Sequence, residues 1–114
     1  MKIIHLYTGK DNKSYFEEIE SSMPIKKELG AYSEPCKVKN MFFRQFEEGL
    51  EFDWHCAPQV QYIIYLEGQV EVEASGGEKR VFNPSDILYV TDISGKGHIT
   101  RTLSKGKSIV VTED

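Results

Sequence analysis

Turn-forming residues cut this chain into pieces too short for a sustained helical pattern. From Cys36 onward the cuts fall at Glu48-Gly49, Pro58, Glu67-Gly68, Gly76-Gly77, Asn83-Pro84, Gly95 with Gly97, and Gly106. Turns spaced roughly eight to twelve residues apart are the mark of an all-β sandwich or barrel, not of βαβ units. Between the cuts lie strand-like runs: Lys37 to Phe46, Leu50 to His55, Val60 to Leu66, Gln69 to Ala74, Lys79 to Phe82, Ile87 to Val90, His98 to Leu103 and Ser108 to Thr112. In Gln69 to Ala74, Val70, Val72 and Ala74 alternate with Gln69, Glu71 and Glu73, which predicts a strand with one wet face. In Lys37 to Phe46, Met41, Phe43 and Gln45 share one face, and Phe42, Arg44 and Phe46 the other.

The first third is less regular. Lys2 to Tyr7 predicts a strand, whereas Ser14 to Ile19 fits a strand or a helical turn equally. Glu20 to Pro35 is broken by Pro24, Gly30 and Pro35. It reads as a loose arm with a short helical piece at Ile25 to Leu29. His5 has no metal-type neighbour at useful spacing and is expected to be structural or on the surface. The expected organisation is one structural domain, with residues 1–36 as N-terminal strand and arm and residues 37–114 as a β-barrel.

Bulk properties exclude several classes. The 114 residues carry a net charge of −4, with no basic footprint for nucleic acid. The apolar run in MKIIHLYTGKDNK is too short for a signal-peptide core, and no segment has the ~18 apolar residues of a membrane span. The expected address is the cytoplasm. The two cysteines, Cys36 and Cys56, are not in CxxC spacing and are read as free thiols. Cys56 lies beside His55 and is read as a small strand residue, with a reactive thiol as the alternative.

The stretch Gly49 to Gly68, GLEFDWHCAPQVQYIIYLEG, concentrates the candidate chemistry. Gln61, Ile63 and Tyr65 point one way from the strand, and Tyr62, Ile64 and Leu66 the other. Both faces are bulky, so both are expected to be covered. One covers the barrel interior; the other meets the N-terminal arm or, in a homodimer, a second copy. Trp54 has opposite parity to His55 and is expected to pack, whereas Asp53 shares its parity and can either orient it or simply be exposed. Tyr65 is either a core aromatic or a proton donor to a bound oxygen. Gly95-Lys96-Gly97 lacks P-loop spacing, and its glycines are expected to bend the chain so that His98 lies over the barrel mouth. Lys96 or Arg101 can pair with an anionic ligand or stay solvated.

The spacing of these residues resembles the first motif of the cupin superfamily: glycine, five residues, His-x-His, three or four residues, glutamate, six residues, glycine. Gly49, His55 and Gly68 match, Ala57 stands in the second histidine's place, and Gln61 stands in that of the glutamate. The second motif resembles Pro84-Ser85-Asp86, the run Ile87 to Val90, and His98, with Thr102 where asparagine is common. His98 arrives two residues later than usual. The resemblance covers Lys37 to about Thr112 and implies a cupin-type double-stranded β-helix, a jelly-roll barrel.

It also implies a site at the barrel mouth. Cupins commonly hold a divalent metal with three histidines and a carboxylate. By position this chain offers His55, Gln61 and His98 as ligands, with Gln59 in reserve, for Fe, Mn, Ni or Zn. The alternative is a hydrogen-bonded polar cluster without metal. His55, His98 and Tyr65 are the candidate catalytic groups, since the imidazoles titrate near neutrality. The implied function is binding of a small oxygenated or acidic molecule, with metal-dependent or histidine-mediated oxygenase, isomerase or lyase chemistry. The competing class is a non-catalytic binding or sensor module without metal. A purely structural protein would have a filled barrel.

Overall fold

A computed structural model describes residues 1–114 as twelve strands and no helix. In chain order these are β1 (Lys2–Thr8), β2 (Ser14–Glu20), β3 (Ile25–Lys27), β4 (Gly30–Tyr32), β5 (Val38–Phe46), β6 (Glu51–His55), β7 (Gln61–Glu67), β8 (Val70–Ala74), β9 (Lys79–Phe82), β10 (Ile87–Val90), β11 (His98–Thr102) and β12 (Gly106–Glu113). No helix is long and apolar enough to cross a membrane. Six strands form one sheet in the order β2-β1-β10-β7-β12-β5, and four form a second in the order β6-β11-β8-β9. The expectation of an all-β architecture is met, and two sheets are consistent with a jelly roll, but they are separate ladders and do not close into one hydrogen-bonded cylinder.

The inner face of the large sheet is built in rows across the strands. One row runs Thr112, Gln61, Val90, Leu6 and Phe16, and the next Val110, Ile63, Leu88 and Ile4. Facing them are Val70, Val72 and Ala74 of β8 and Phe82 of β9, all within one buried cluster with Leu6, Ile63, Leu88 and Val90. The alternation in Val70–Ala74 therefore comes from one face in the core and one at the surface. Each such valine contributes about 1.5–3 kcal/mol by leaving water.

The N-terminal strands join the large sheet. β1 pairs in parallel with β10, and β2 pairs antiparallel with β1, so residues 2–20 extend it at one edge. Within one chain the outer side of Val60 to Leu66 stays partly open. Ile63 and Tyr65 are buried, but Leu66 is 52% exposed. The outer face carries an aromatic ladder instead: Tyr62 stacks on Tyr89 at 4.4 Å, and Tyr89 on His5 at 5.2 Å. His5 is structural, held by Glu17 and Thr91 at 2.8 Å each. Ser14 to Ile19 resolves as strand. The helical piece expected at Ile25 to Leu29 is instead the small hairpin β3–β4. Pro24 and Gly30 bound it too closely for a helical turn to propagate.

The β1–β2 hairpin also holds the loop that precedes β11. The buried Ser14 Oγ donates to the Gly97 carbonyl at 2.7 Å and accepts from Ser75 N at 2.8 Å. Thr8 Oγ1 donates to the Ser94 carbonyl at 2.9 Å, and Lys96 N to the Asn12 carbonyl at 2.8 Å. Gly97 has φ +71, and a Cβ there would stand 2.1 Å from the His55 carbonyl oxygen. Only glycine allows this turn to press against β6 and set His98 beside His55. Gly97→Ala is expected to cost ~2 kcal/mol or more, read as a lower urea midpoint with unchanged slope.

Candidate functional site

Between the sheets, on the side of β5, β6 and β11, lies a cavity of 570 Å3. His55, Gln61, Tyr65 and His98, the four residues singled out from the sequence, all line it. Ile63, Val72, Leu88 and Val90 form its apolar floor. His55 and His98 lie on neighbouring strands of the small sheet and pair directly in the ladder, whereas Gln61 and Tyr65 face them from β7 of the large sheet. Pro58 lies in the crossing segment that carries the chain from one sheet to the other. His55 and Gln61 therefore look into one cavity from opposite walls. Gln59 does not line it.

A bulge sets the orientation of His55. His98 pairs with His55 and Thr100 with Phe52, so three steps of β6 match two of β11. The extra residue brings Phe52 onto the face of His55. Their rings stack at 3.6 Å and 12°. Phe52, not Asp53, is thus the side chain that fixes this imidazole. Asp53 acts through its backbone: its carbonyl oxygen lies 2.7 Å from His55 Nδ1. A carbonyl only accepts, so Nδ1 of the neutral ring carries the proton and Nε2 keeps its lone pair. Trp54 does not pack as expected and remains 49% exposed, on the strand face opposite to His55.

His98 is buried and tied through Nδ1 to Asp92 Oδ2 at 2.5 Å. Asp92 is fully buried, and its Oδ1 has no hydrogen-bond partner in the protein. The two imidazoles are 4.4 Å apart between centroids, tilted by 59°. Asp92 escaped the sequence reading because it lay in a loop with no periodicity. Its one signal was an acid six residues ahead of a histidine across a glycine-rich bend. Arg44, which lines the cavity, was placed on the correct strand face but given no role.

Arg101 and the two cysteines lie apart from this pair. Arg101 is bound by Glu51, Glu71 and Glu73 at 2.6, 2.9 and 2.8 Å, so its side chain is not a ligand hook. Cys36 and Cys56 are free thiols, and Cys56 Sγ lies 3.2 Å from the Gly95 carbonyl. Burial holds the Tyr65 phenol well above its ordinary range, with the positive charge of Arg44 opposing. Tyr65 therefore keeps its proton near neutrality and does not act as a base.

Burial lowers the His55 pKa below its ordinary 6.5; the Asp53 carbonyl bond opposes this and neighbouring His98 reinforces it. The unfolded chain then binds a proton that the folded chain refuses, so stability rises with pH through the window below 6.5. The His55 contribution is fully present above that value and is lost as pH falls toward the folded pKa. Denaturation curves at stepped pH are expected to show this slope in wild type and a flatter one in His55→Asn.

No protein-family model matches the chain, and no curated protein matches its sequence significantly. Solved structures match by shape. A protein from Neisseria meningitidis is 12% identical with a TM-score of 0.54, over 80% of this chain and 90% of that one. A cupin superfamily protein from Desulfitobacterium hafniense is 15% identical with a TM-score of 0.51, over 70% and 84%. A conserved Streptococcus pyogenes protein of unknown function is 14% identical with a TM-score of 0.50, over 66% and 75%. With its two facing sheets and this likeness, the chain has a cupin-type fold.

Proposed function

We propose that this protein binds a small oxygenated or acidic molecule in the cavity between its sheets, with His55, Gln61, Tyr65 and His98 as the polar wall. The supporting observation is that these four side chains, from both sheets, line one cavity of 570 Å3 with an apolar floor. That combination, a few convergent polar groups in a largely apolar concavity, is what small-molecule sites share. The buried Asp92–His98 pair favours a second reading in which the bound molecule is also turned over by proton transfer. Asp92 orients the ring and stabilises the imidazolium, His98 Nε2 takes the proton, and Tyr65 donates to a developing oxyanion. Isomerase and lyase chemistry need no more than this.

A metal would use His55, Gln61 and His98. The chain has no group of three or more His, Cys, Asp or Glu residues placed to hold one. Two imidazoles and a neutral amide lack the third strong donor of a tight divalent site. The donor set does not fit, so the proposed chemistry runs through the side chains alone. Metal analysis of protein purified without chelator or affinity tag is expected to find no stoichiometric metal. A panel of small hydroxy acids, keto acids and sugars is expected to raise the unfolding temperature of wild type by a few degrees, and that of Gln61→Leu and His98→Ala by less. Stoichiometric Fe, Mn, Ni or Zn, lost in His55→Ala and His98→Ala, would restore the metal-dependent reading. A panel in which no compound shifts wild type would remove the binding reading.

The working unit is proposed to be a homodimer built on β5. This strand ends the large sheet, so one backbone edge is unpaired, and Val38, Met41, Phe42 and Phe43 are exposed along it, Phe43 by 79%. Phe42 shares the inward face with Arg44 but is uncovered there by the smaller sheet. A free edge with an apolar flank pairs naturally with its own copy, because a two-fold axis makes like strands self-complementary. Sedimentation equilibrium is expected to give a dimer for wild type and a monomer for Phe43→Lys. A wild-type monomer at micromolar concentration would contradict this assembly.

A further inference from the structure

We propose that Arg44 is a carboxylate anchor, and that the cavity takes a small monocarboxylate with an apolar body; this rests on the binding reading above. Arg44 lies in β5, where the ladder places it beside Ser108 of β12, and Ser108 beside Tyr65 of β7. Serine in the middle of this row is small enough for the arginine side chain to lie over it. Arg44 Nε donates to Ser108 Oγ at 2.8 Å, and the guanidinium carbon sits 5.2 Å from the Phe46 ring centroid. The group is thereby held in one plane. Its Nη2 is buried and has no hydrogen-bond partner.

The charge balance points to an anion. The only acid lining the cavity is Glu51, and its carboxylate is already bound to Arg101 Nε at 2.6 Å. No acid bridges Arg44. Arg44 is half-buried, but a guanidinium nitrogen shielded from water with an idle donor is costly, and a planar oxyanion is the partner whose geometry matches it. One arginine calls for one carboxylate. The remaining floor, Ile63, Val72, Leu88 and Val90, accommodates the apolar part of such an acid, and His55 and His98 stand on the opposite wall where its reacting end would lie.

Calorimetry with matched pairs tests this: phenylacetate against phenylacetamide, and hexanoate against hexanamide. Wild type is expected to bind the carboxylates ~tenfold or more tightly than the amides, since charge-assisted hydrogen bonds are worth at least that factor. Arg44→Met is expected to abolish the preference, and Arg44→Lys to keep part of it. Equal binding of acid and amide by wild type, or a preference that survives in Arg44→Met, overturns the anchor and leaves the pocket standing. Binding of neither overturns both. Should Arg44→Met fail to fold, the wild-type Arg44 Nε resonance decides: phenylacetate shifts it and phenylacetamide does not, and an unmoved signal at saturating phenylacetate refutes the assignment.

Discussion

The structure depends on an uneven filling of the space between two sheets. On one side, Leu6, Ile63, Leu88 and Val90 of the large sheet meet Val70, Val72, Ala74 and Phe82 of the small one and exclude water. On the other, the residues that should continue this packing are polar: Arg44, Ser108, Gln61, Thr100 and the two histidines. Such groups cannot be pressed together dry without leaving hydrogen bonds unmade. The filled half stabilises the fold, and the unfilled half remains as a cavity.

Each wall of that cavity is positioned from far away in the chain. His98 stands beside His55 because Gly97 turns where no side chain fits, and Ser14, more than eighty residues earlier, holds the Gly97 carbonyl. His55 faces inward with Phe52 behind it because β6 carries one residue more than its partner strand. Asp92 completes the arrangement by fixing the His98 ring from the buried side. The N-terminal hairpin, which looks peripheral in the sequence, is therefore part of the support for the site.

Much of the architecture was legible. The turn spacing announced short strands, and the alternation in Val70–Ala74 announced its buried face. The parity of Gln61, Ile63 and Tyr65 assigned them to one side, and all three line the cavity. Where the reading failed, a non-local contact had overridden a local pattern. The bulge in β6 broke the parity that linked Asp53 to His55. The segment read as an arm, Glu20 to Pro35, paired with itself as the β3–β4 hairpin and left Leu66 exposed. Arg101 looked available until its three glutamates, on two neighbouring strands, were in place.

The sequence by itself determined the class of fold and picked out His55, Gln61, Tyr65 and His98 at the cavity, because turn chemistry and side-chain alternation act over a few residues and leave a local record. It also determined that the histidine and glutamate positions of the cupin pattern hold Ala57 and Gln61. Only the tertiary structure decided that the sheets stay separate, that Asp92 lies against His98, and that Arg44 presents an unpartnered donor. Those outcomes depend on which strands become neighbours and on which charges have already been neutralised by another strand. No short window of sequence contains that information.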